Sequence, residues 1–374
     1  MELQTYLSDL EYLVNIDSGS EYPEGINKVA AFFSGKFREL GWIVEEHDLA
    51  PESGTCVICK NHDADHFDVM LIGHIDTVFP VGTCAQRPFR VENNVAYGPG
   101  AGDMKQGCLL MYNLMKDLPK EINDKLNIVV VYNPDEEIGS VYSRKVYAPY
   151  AQKSDYCFLY ESRSPRDEYC IQRPGSYQFE AEFTGQAGHC GFVFRNDARS
   201  AISEMARWIV ALDALQSREK ETTVNVGVVK GGIKGNVVAD KASMIVDIRF
   251  RIPEELGVVE ATVAELEKQA QEHRIGVRFV KKRMKQAWML TEKSKAYLEH
   301  IEQLGKEQGI PVKWETRGGL SDANIIAEYG PICLDGMGCS GSGGHSEGEF
   351  SRMDTLPEVY AFSNMLLKDL ADNK

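Results

Sequence analysis

The chain has 374 residues, a formal net charge of −15 and a pI of about 5.1. With 43% hydrophobic and 26% charged residues its composition is ordinary for a globular protein, which excludes a disordered or fibrous chain, and its length predicts two domains or three. The acidic balance disfavours nucleic-acid binding, and no apolar run approaches the roughly 18 residues needed to span a bilayer. The opening segment MELQTYLSDLEYLVNID carries acids where a leader peptide carries bases. It is expected to be an amphipathic helix of a protein that stays in the cytoplasm. The nine cysteines are scattered and odd in number, as suits reduced thiols. Cys56-Val57-Ile58-Cys59 lies in an apolar run without a second pair and is expected to pack on a strand.

Val29, Phe32, Phe33, Phe37 and Leu40 share one helical face. Apolar runs follow at Asp68–Gly73, Leu126–Tyr132 and Tyr156–Tyr160, separated by helical stretches near Lys105–Asp117 and Val141–Tyr150. Buried parallel strands have this continuous apolar character, so the segment predicts an α/β domain with a mixed, mostly parallel sheet. The texture changes near Arg173-Pro174-Gly175. Tyr177, Phe179, Ala181 and Phe183 alternate with polar residues, which predicts a sheet with one wet face. A helix around Ile202–Leu212, strands at Thr223–Val229 and Ala242–Phe250, a helix around Leu256–Leu266 and a strand at Ile275–Lys281 complete a β-α-β-β-α-β, ferredoxin-like order. The α/β texture then returns, with a helix at Ser294–Glu307, a strand at Pro331–Leu334 and a helix at Pro357–Leu370. The expected domains are 1–173 with 287–374, and an inserted α+β layer at 174–286.

Short polar clusters follow the apolar runs, and ligands gather at the carboxyl ends of parallel strands. In Gly73-His74-Ile75-Asp76, residues i and i+2 share a face, so Asp76 can orient the His74 ring; a buried polar pair is the alternative. In Gly98-Pro99-Gly100-Ala101-Gly102-Asp103, the glycines allow close backbone approach to a ligand, while Asp103 alternatively caps a helix. Asp135-Glu136-Glu137 bunches three acids, which need a cation or solvent to relieve them. Glu161 abuts an apolar strand and needs a partner, with Arg163 one option. Gly343-Gly344-His345 closes the set. Two histidines, several acids and no cysteine suggest a nitrogen and oxygen metal site of zinc type.

The strings GHIDTVFP, GPGAGDMKQG, PDEEIGS, FLYES, GQAGHCG, GGIKGNVVADKASMIVDIRF, RGGLSDAN and GGHSEGEF occur in an order that resembles the dizinc exopeptidase and amidohydrolase family. That family includes carboxypeptidase G, acetylornithine deacetylase, succinyl-diaminopimelate desuccinylase and peptidase T, and the carboxypeptidase G type is the most similar. The resemblance implies two zinc ions, with cobalt or manganese possible in the same ligands. His74 and Glu161 would share one metal, Glu137 and His345 its neighbour, and Asp103 would bridge them, followed by a peptide bond that is typically cis in the family. Asp76 would orient His74, and Glu136 would be the general base on the bridging water. The inserted layer would be a lid that makes a homodimer, with His189 steadying the oxyanion in a neighbouring subunit. Asn236 and Arg249 match lid positions that hold substrate, and Gly319 and Ser321 match a substrate-side loop. Arg249 alternatively pairs with Asp247. Ala239 stands where the family usually has proline, a departure that touches no ligand.

The implied activity is hydrolysis of an amide next to a free carboxylate, in a small peptide or N-acyl amino acid. Glu161 favours a carboxypeptidase, glutamate carboxypeptidase-like, over an N-acyl amino acid deacylase and then an aminopeptidase. An inactive dimeric binding protein of the same fold is the alternative outside enzymes. Gly336-Met337-Gly338-Cys339-Ser340-Gly341 fits a dinucleotide fingerprint but is expected to run into a loop rather than a helix. His62 and His66 are expected in a polar loop, and His47, His273 and His300 at the surface.

Overall fold

The computed structural model describes residues 1–374, in two compact units. The first comprises Met1–Gln172, Leu290–Arg317 and Ser321–Lys374; the second comprises Arg173–Met289 and Gly318–Leu320.

The first unit is α/β. Its six-stranded sheet has the order Ile43–His47, Cys56–Lys60, Ile128–Asn133, Phe67–His74, Ser154–Leu159, Ile332–Leu334. The last four strands run parallel to one another, and the first two pair antiparallel at one edge. The inner strands are buried on both faces, which is why they are apolar throughout rather than alternating. The helix Pro23–Glu39 starts with proline at its first turn, where the missing N–H costs nothing, and buries Ile26, Val29, Ala30, Phe33 and Phe37. Phe33 stacks on Tyr132 of the sheet at 4.1 Å between ring centroids, and each such buried ring contributes about 1.5–3 kcal/mol. The helix Lys105–Lys116 is buried almost all round. It packs so tightly against the strand ends that a Cβ at Gly107 would stand 1.8 Å from the Tyr160 carbonyl oxygen, so only glycine fits there. Cys56 and Cys59 are buried free thiols on their strand.

A smaller antiparallel sheet in the same unit joins Gly341–Ser342, Phe350–Arg352, Val95–Tyr97 and Arg90–Glu92 in that order. The hairpin loop between its first two strands contains His345, and the chain leaving Val95–Tyr97 runs directly into Gly98–Asp103.

The second unit is one four-stranded antiparallel sheet in the order Thr223–Gly231, Lys241–Phe250, Gly175–Thr184, Gly276–Lys285. Two helices, Ala201–Asp213 and Glu255–Glu272, complete the β-α-β-β-α-β sequence. The alternating strands turn Tyr177, Phe179, Ala181 and Phe183 into a core with Trp208, Leu212, Val259 and Val263. No helix is long and apolar enough to cross a membrane.

Candidate metal centre

Three neighbouring parallel strands deliver the central side chains. Phe67–His74 ends on His74, Ile128–Asn133 leads into the 3-10 turn Glu136–Ile138, and Ser154–Leu159 is followed two residues on by Glu161.

 All three present their carboxyl ends to one side of the sheet. Asp103 comes from the glycine loop beside them; its peptide to Met104 is cis, and the following helix begins at Lys105 without a side-chain cap, so Asp103 is not a helix cap.

These residues converge. His74 is 2% exposed, and its Nε2 lies 3.0 Å from Asp103 Oδ1 and 3.6 Å from Glu161 Oε1. His345 Nε2 lies 2.9 Å from Glu137 Oε2 and 3.3 Å from Asp103 Oδ2. One carboxylate thus offers each of its oxygens to a different histidine. Single ligand atoms of His74, Asp103 and Glu137 all lie within 4.8 Å of one another. Arg163, the alternative partner of Glu161, is itself buried but pairs instead with the partly exposed Glu358.

Asp76 is fully buried. The His74 Nδ1 is 3.0 Å from the Asp76 backbone carbonyl and 3.3 Å from its carboxylate, so main chain and side chain together hold the ring. The same carboxylate accepts hydrogen bonds from the backbone N–H groups of Glu136 at 3.1 Å and Glu137 at 3.2 Å, and from the Ser20 hydroxyl at 2.7 Å. Asp76 therefore fixes the turn that presents Glu136 and Glu137.

Crowding three carboxylates against two imidazoles sets the electrostatics. Burial pulls the His74 pKa down, but the Glu161 charge and the hydrogen bonds to Asp103 and Asp76 outweigh it and hold the pKa well above the ordinary value. Hydrogen bonds to Asp103 and Glu137 push His345 up to about 10. Burial opposes ionisation of Asp103, yet the hydrogen bonds from His345 and His74 prevail and depress its pKa. Burial raises Glu137 and Glu161. Two imidazoles and three carboxylates with no thiol form a donor set that fits zinc, and a dication relieves the repulsion among the acids.

Two supports were not anticipated from the sequence. Glu349 is buried, accepts from the N–H groups of Gly102 at 2.8 Å and Asp103 at 2.9 Å, and is pushed up to about 7 chiefly by burial. Asp322 is buried and accepts from Asn133 Nδ2 at 2.5 Å, from the Tyr147 hydroxyl at 3.1 Å and from the Ser140 hydroxyl. It thereby ties both ends of the loop that carries Glu136 and Glu137. Both acids lie inside strings that carry the resemblance, Asp322 in RGGLSDAN and Glu349 in GGHSEGEF, where the resemblance assigns neither a role.

The second unit carries the other residues singled out above, apart from Ser321. His189 is exposed, its Nδ1 accepts from Gly191 N–H at 3.1 Å, and its strand Gly188–His189 pairs with Val237–Val238, which brings the backbone of Asn236 to Cys190 N–H. Arg249 forms a two-pronged ion pair with Asp247, at 2.6 and 3.1 Å, and lines a cavity of about 700 Å³ with Arg218 and Arg251. The Gly319 carbonyl accepts from Arg173 at 3.0 Å. Ser321, in the first unit, is buried, with its hydroxyl donating to Asp335 at 2.8 Å and accepting from Ala323 N–H. The glycine run 336–341 leads into the short strand Gly341–Ser342 rather than a helix. His62 and His66 lie in the loop before Phe67, and His66 pairs with Asp155. His273 and His300 are exposed, whereas His47 is half-buried because it sits on the Ile43–His47 strand.

Comparison with known proteins places these observations. Residues 70–369 match the model of peptidase family M20/M25/M40. Carboxypeptidase G2 of Pseudomonas sp. (strain RS-16) is 28% identical over 378 residues, covering 100% of this chain and 91% of that protein. A succinyl-diaminopimelate desuccinylase of Erythrobacter litoralis is 26% identical over 306 residues, covering 77% of this chain and 78% of that protein. Among solved structures, aminopeptidase PepT from Bacillus cereus superposes with a TM-score of 0.80 at 20% identity, over 99% of both chains. The metallo-carboxypeptidase Sso-CP2 from Sulfolobus solfataricus superposes with a TM-score of 0.75 at 17% identity, over 100% of both chains. With its α/β fold and a family match running through most of its length, the chain belongs to peptidase family M20/M25/M40 and is a metal-dependent hydrolase of peptide or amide bonds.

Proposed function

We propose that the chain is a carboxypeptidase that hydrolyses an amide bond next to a free carboxylate, in small peptides or N-acyl amino acids, with two zinc ions per chain. The observation that carries this reading is the Asp103 carboxylate set between His74 and His345, one oxygen toward each. Glu161 on the His74 side and Glu137 on the His345 side complete two half-sites that share Asp103. When bound, the metal pair supplies Lewis-acid polarisation of the scissile carbonyl and acidifies a water molecule.

The chain's own residues do the rest. Glu136 takes the proton of the attacking water and delivers it to the leaving amine nitrogen, so no covalent nucleophile is required. Asp76 keeps Glu136 and Glu137 in place through their backbone N–H groups. In neutral His189 the Gly191 N–H occupies Nδ1, so the ring proton sits on Nε2, where it suits donation to a developing oxyanion. Asn236, Arg249, Gly319 and Ser321 are the proposed substrate contacts, with Arg249 offering the substrate carboxylate the Nη1 side of the guanidinium that its pair with Asp247 leaves open. The second unit is the proposed lid, and a homodimer through it is supported by exposed Val210, Val228, Val229 and Ile233. The cytoplasm is the proposed location.

Carboxypeptidase is favoured over deacylase or aminopeptidase by Glu161 and by the length of the match to carboxypeptidase G2. The test is turnover by zinc-loaded protein on C-terminally varied tripeptides and N-acetyl amino acids. Release of the C-terminal residue from tripeptides supports the reading, release of their N-terminal residue moves the activity to an aminopeptidase, and acetate release without peptide cleavage moves it to a deacylase. No metal uptake and no turnover overturns the enzyme in favour of a binding protein.

A further inference from the structure

A cavity of about 390 Å³ opens beside Glu137 in the first unit, within the range of roughly 300–1,000 Å³ usual for small-molecule sites. Its walls are the segment around Tyr22, the loop Thr77–Val81 and Ile138. Val78, Val81 and Ile138 stand 41%, 60% and 38% exposed, so three branched apolar side chains face solvent around one opening. The carboxylates on the walls are Glu21 and Glu137, the latter paired with His345, and no lysine, arginine or histidine lines the cavity.

These walls are built into the frame of the metal centre. Thr77 N–H donates to the Ser18 carbonyl at 2.9 Å, and Ser20 N–H donates to the Thr77 carbonyl at 3.0 Å, welding the two segments together. They run so close that a Cβ at Gly19 would lie 2.4 Å from the Phe79 carbonyl oxygen. The Asp17 carboxylate accepts from the N–H groups of Gly82 at 2.7 Å and Cys84 at 2.9 Å and so fixes the far end of the loop. The Ser20 hydroxyl donates to the same Asp76 carboxylate that holds Glu136 and Glu137. A pocket whose walls share hydrogen bonds with the metal ligands is preorganised for a group attached to whatever binds there.

We propose that this cavity is a specificity pocket for an apolar side chain, aliphatic or aromatic, flanking the scissile amide, and that it rejects a side chain bearing a carboxylate. The proposal rests on the hydrolase reading above. Apolar burial against Tyr22, Val78, Phe79, Val81 and Ile138 favours the first kind of side chain, and a carboxylate seated there would lose hydration with no cationic side chain in the walls to pair with it.

Two experiments on the whole 374-residue chain test it. Zinc-loaded protein is assayed on two dipeptide series in which the residue on either side of the amide is Gly, Ala, Leu, Phe or Asp. In one series kcat/KM is expected to rise at least tenfold from Gly to Phe and to fall below Gly for Asp, in keeping with what apolar pockets discriminate. The Val81→Asp variant, at an exposed position, is expected to cut the Phe-to-Gly ratio at least tenfold. Calorimetry with 3-phenylpropionate and succinate, which contain no amide to cleave, gives a readout independent of turnover. Tighter binding of 3-phenylpropionate by at least tenfold, lost in Val81→Asp, supports the pocket. Flat ratios in both series, or a Val81→Asp effect equal on Gly and Phe substrates, overturns it while leaving the hydrolase reading intact. Absence of any turnover with the binding preference preserved sinks the hydrolase reading and keeps the pocket.

Discussion

Replacing Asp76 with asparagine turns one acceptor oxygen into a donor at a point where the Glu136 and Glu137 N–H groups, the Ser20 hydroxyl and the His74 ring converge. The less costly amide orientation places Nδ2 where Oδ2 now sits, because the Ser20 hydroxyl can rotate to accept. The Glu137 N–H then faces another donor and loses its charge-assisted bond. Leaving one such group unsatisfied in a buried place costs about 1.5–3 kcal/mol. Local opening of the turn should become easier by that amount, which is a roughly 10- to 150-fold rise in exchange rate at 1.4 kcal/mol per decade. Hydrogen exchange followed by mass spectrometry on the peptide spanning residues 134–139, in metal-free protein, reads this directly. An Asp76→Asn variant exchanging there within twofold of the parent would refute the idea that Asp76 holds the turn. Metal affinity should fall in parallel, because Glu137 loses its placement.

Other consequences can be checked as simply. Asp322→Ala removes the acceptor of three buried donors and should destabilise the first unit by about 3–5 kcal/mol; a change below about 1 kcal/mol in urea unfolding would show the network to be incidental. In Glu45, burial opposes ionisation, but hydrogen bonds from Lys60 and Tyr150 prevail and hold its pKa below the usual value. Its contribution is therefore present above the unfolded pKa of about 4.3 and is lost as pH falls through the folded value, so the stability gap between the parent and Glu45→Gln should shrink from pH 7 to pH 3 in denaturant titrations. A gap independent of pH would contradict this. His345, pushed up to about 10, carries a proton at neutral pH in the metal-free protein. Zinc uptake at pH 7 should therefore release protons, visible as a buffer-dependent heat in calorimetry, and the apparent affinity should rise with pH; buffer-independent heats would argue that His345 is not a ligand.

The central sheet was legible because its strands are buried on both faces and therefore stand out as continuous apolar runs, Phe67–His74 and Ile128–Asn133 above all. The same logic exposed the strand-end clusters, since a buried run that stops at His74 or just short of Glu161 leaves a polar group where parallel sheets bind ligands. The edge strand Ile43–His47 carries two glutamates and the strand Arg90–Glu92 is fully exposed, so neither has an apolar signature. Supports that join distant segments were also out of reach. Glu349 holds Asp103 across 246 positions and Asp322 holds Asn133 across 189, and nothing local in either acid distinguishes it from a surface residue. The resemblance names the histidines and acids of the centre and Asp76 as the group that orients His74, but not the bonds from Asp76 to the Glu136 and Glu137 turn, nor Ser20, Glu349 and Asp322. Gly318–Leu320 group with the second unit although they follow the helix Glu292–Gln308 of the first, a long-range property that composition does not reveal.

The most direct test of the account is metal content at saturation for the parent protein and for Asp103→Asn, measured on the same preparations by elemental analysis. The account predicts two zinc ions per chain in the parent and fewer than one in the variant, because a single carboxylate serves both half-sites. A parent that binds fewer than one ion, or a variant that keeps two with undiminished affinity, would contradict it.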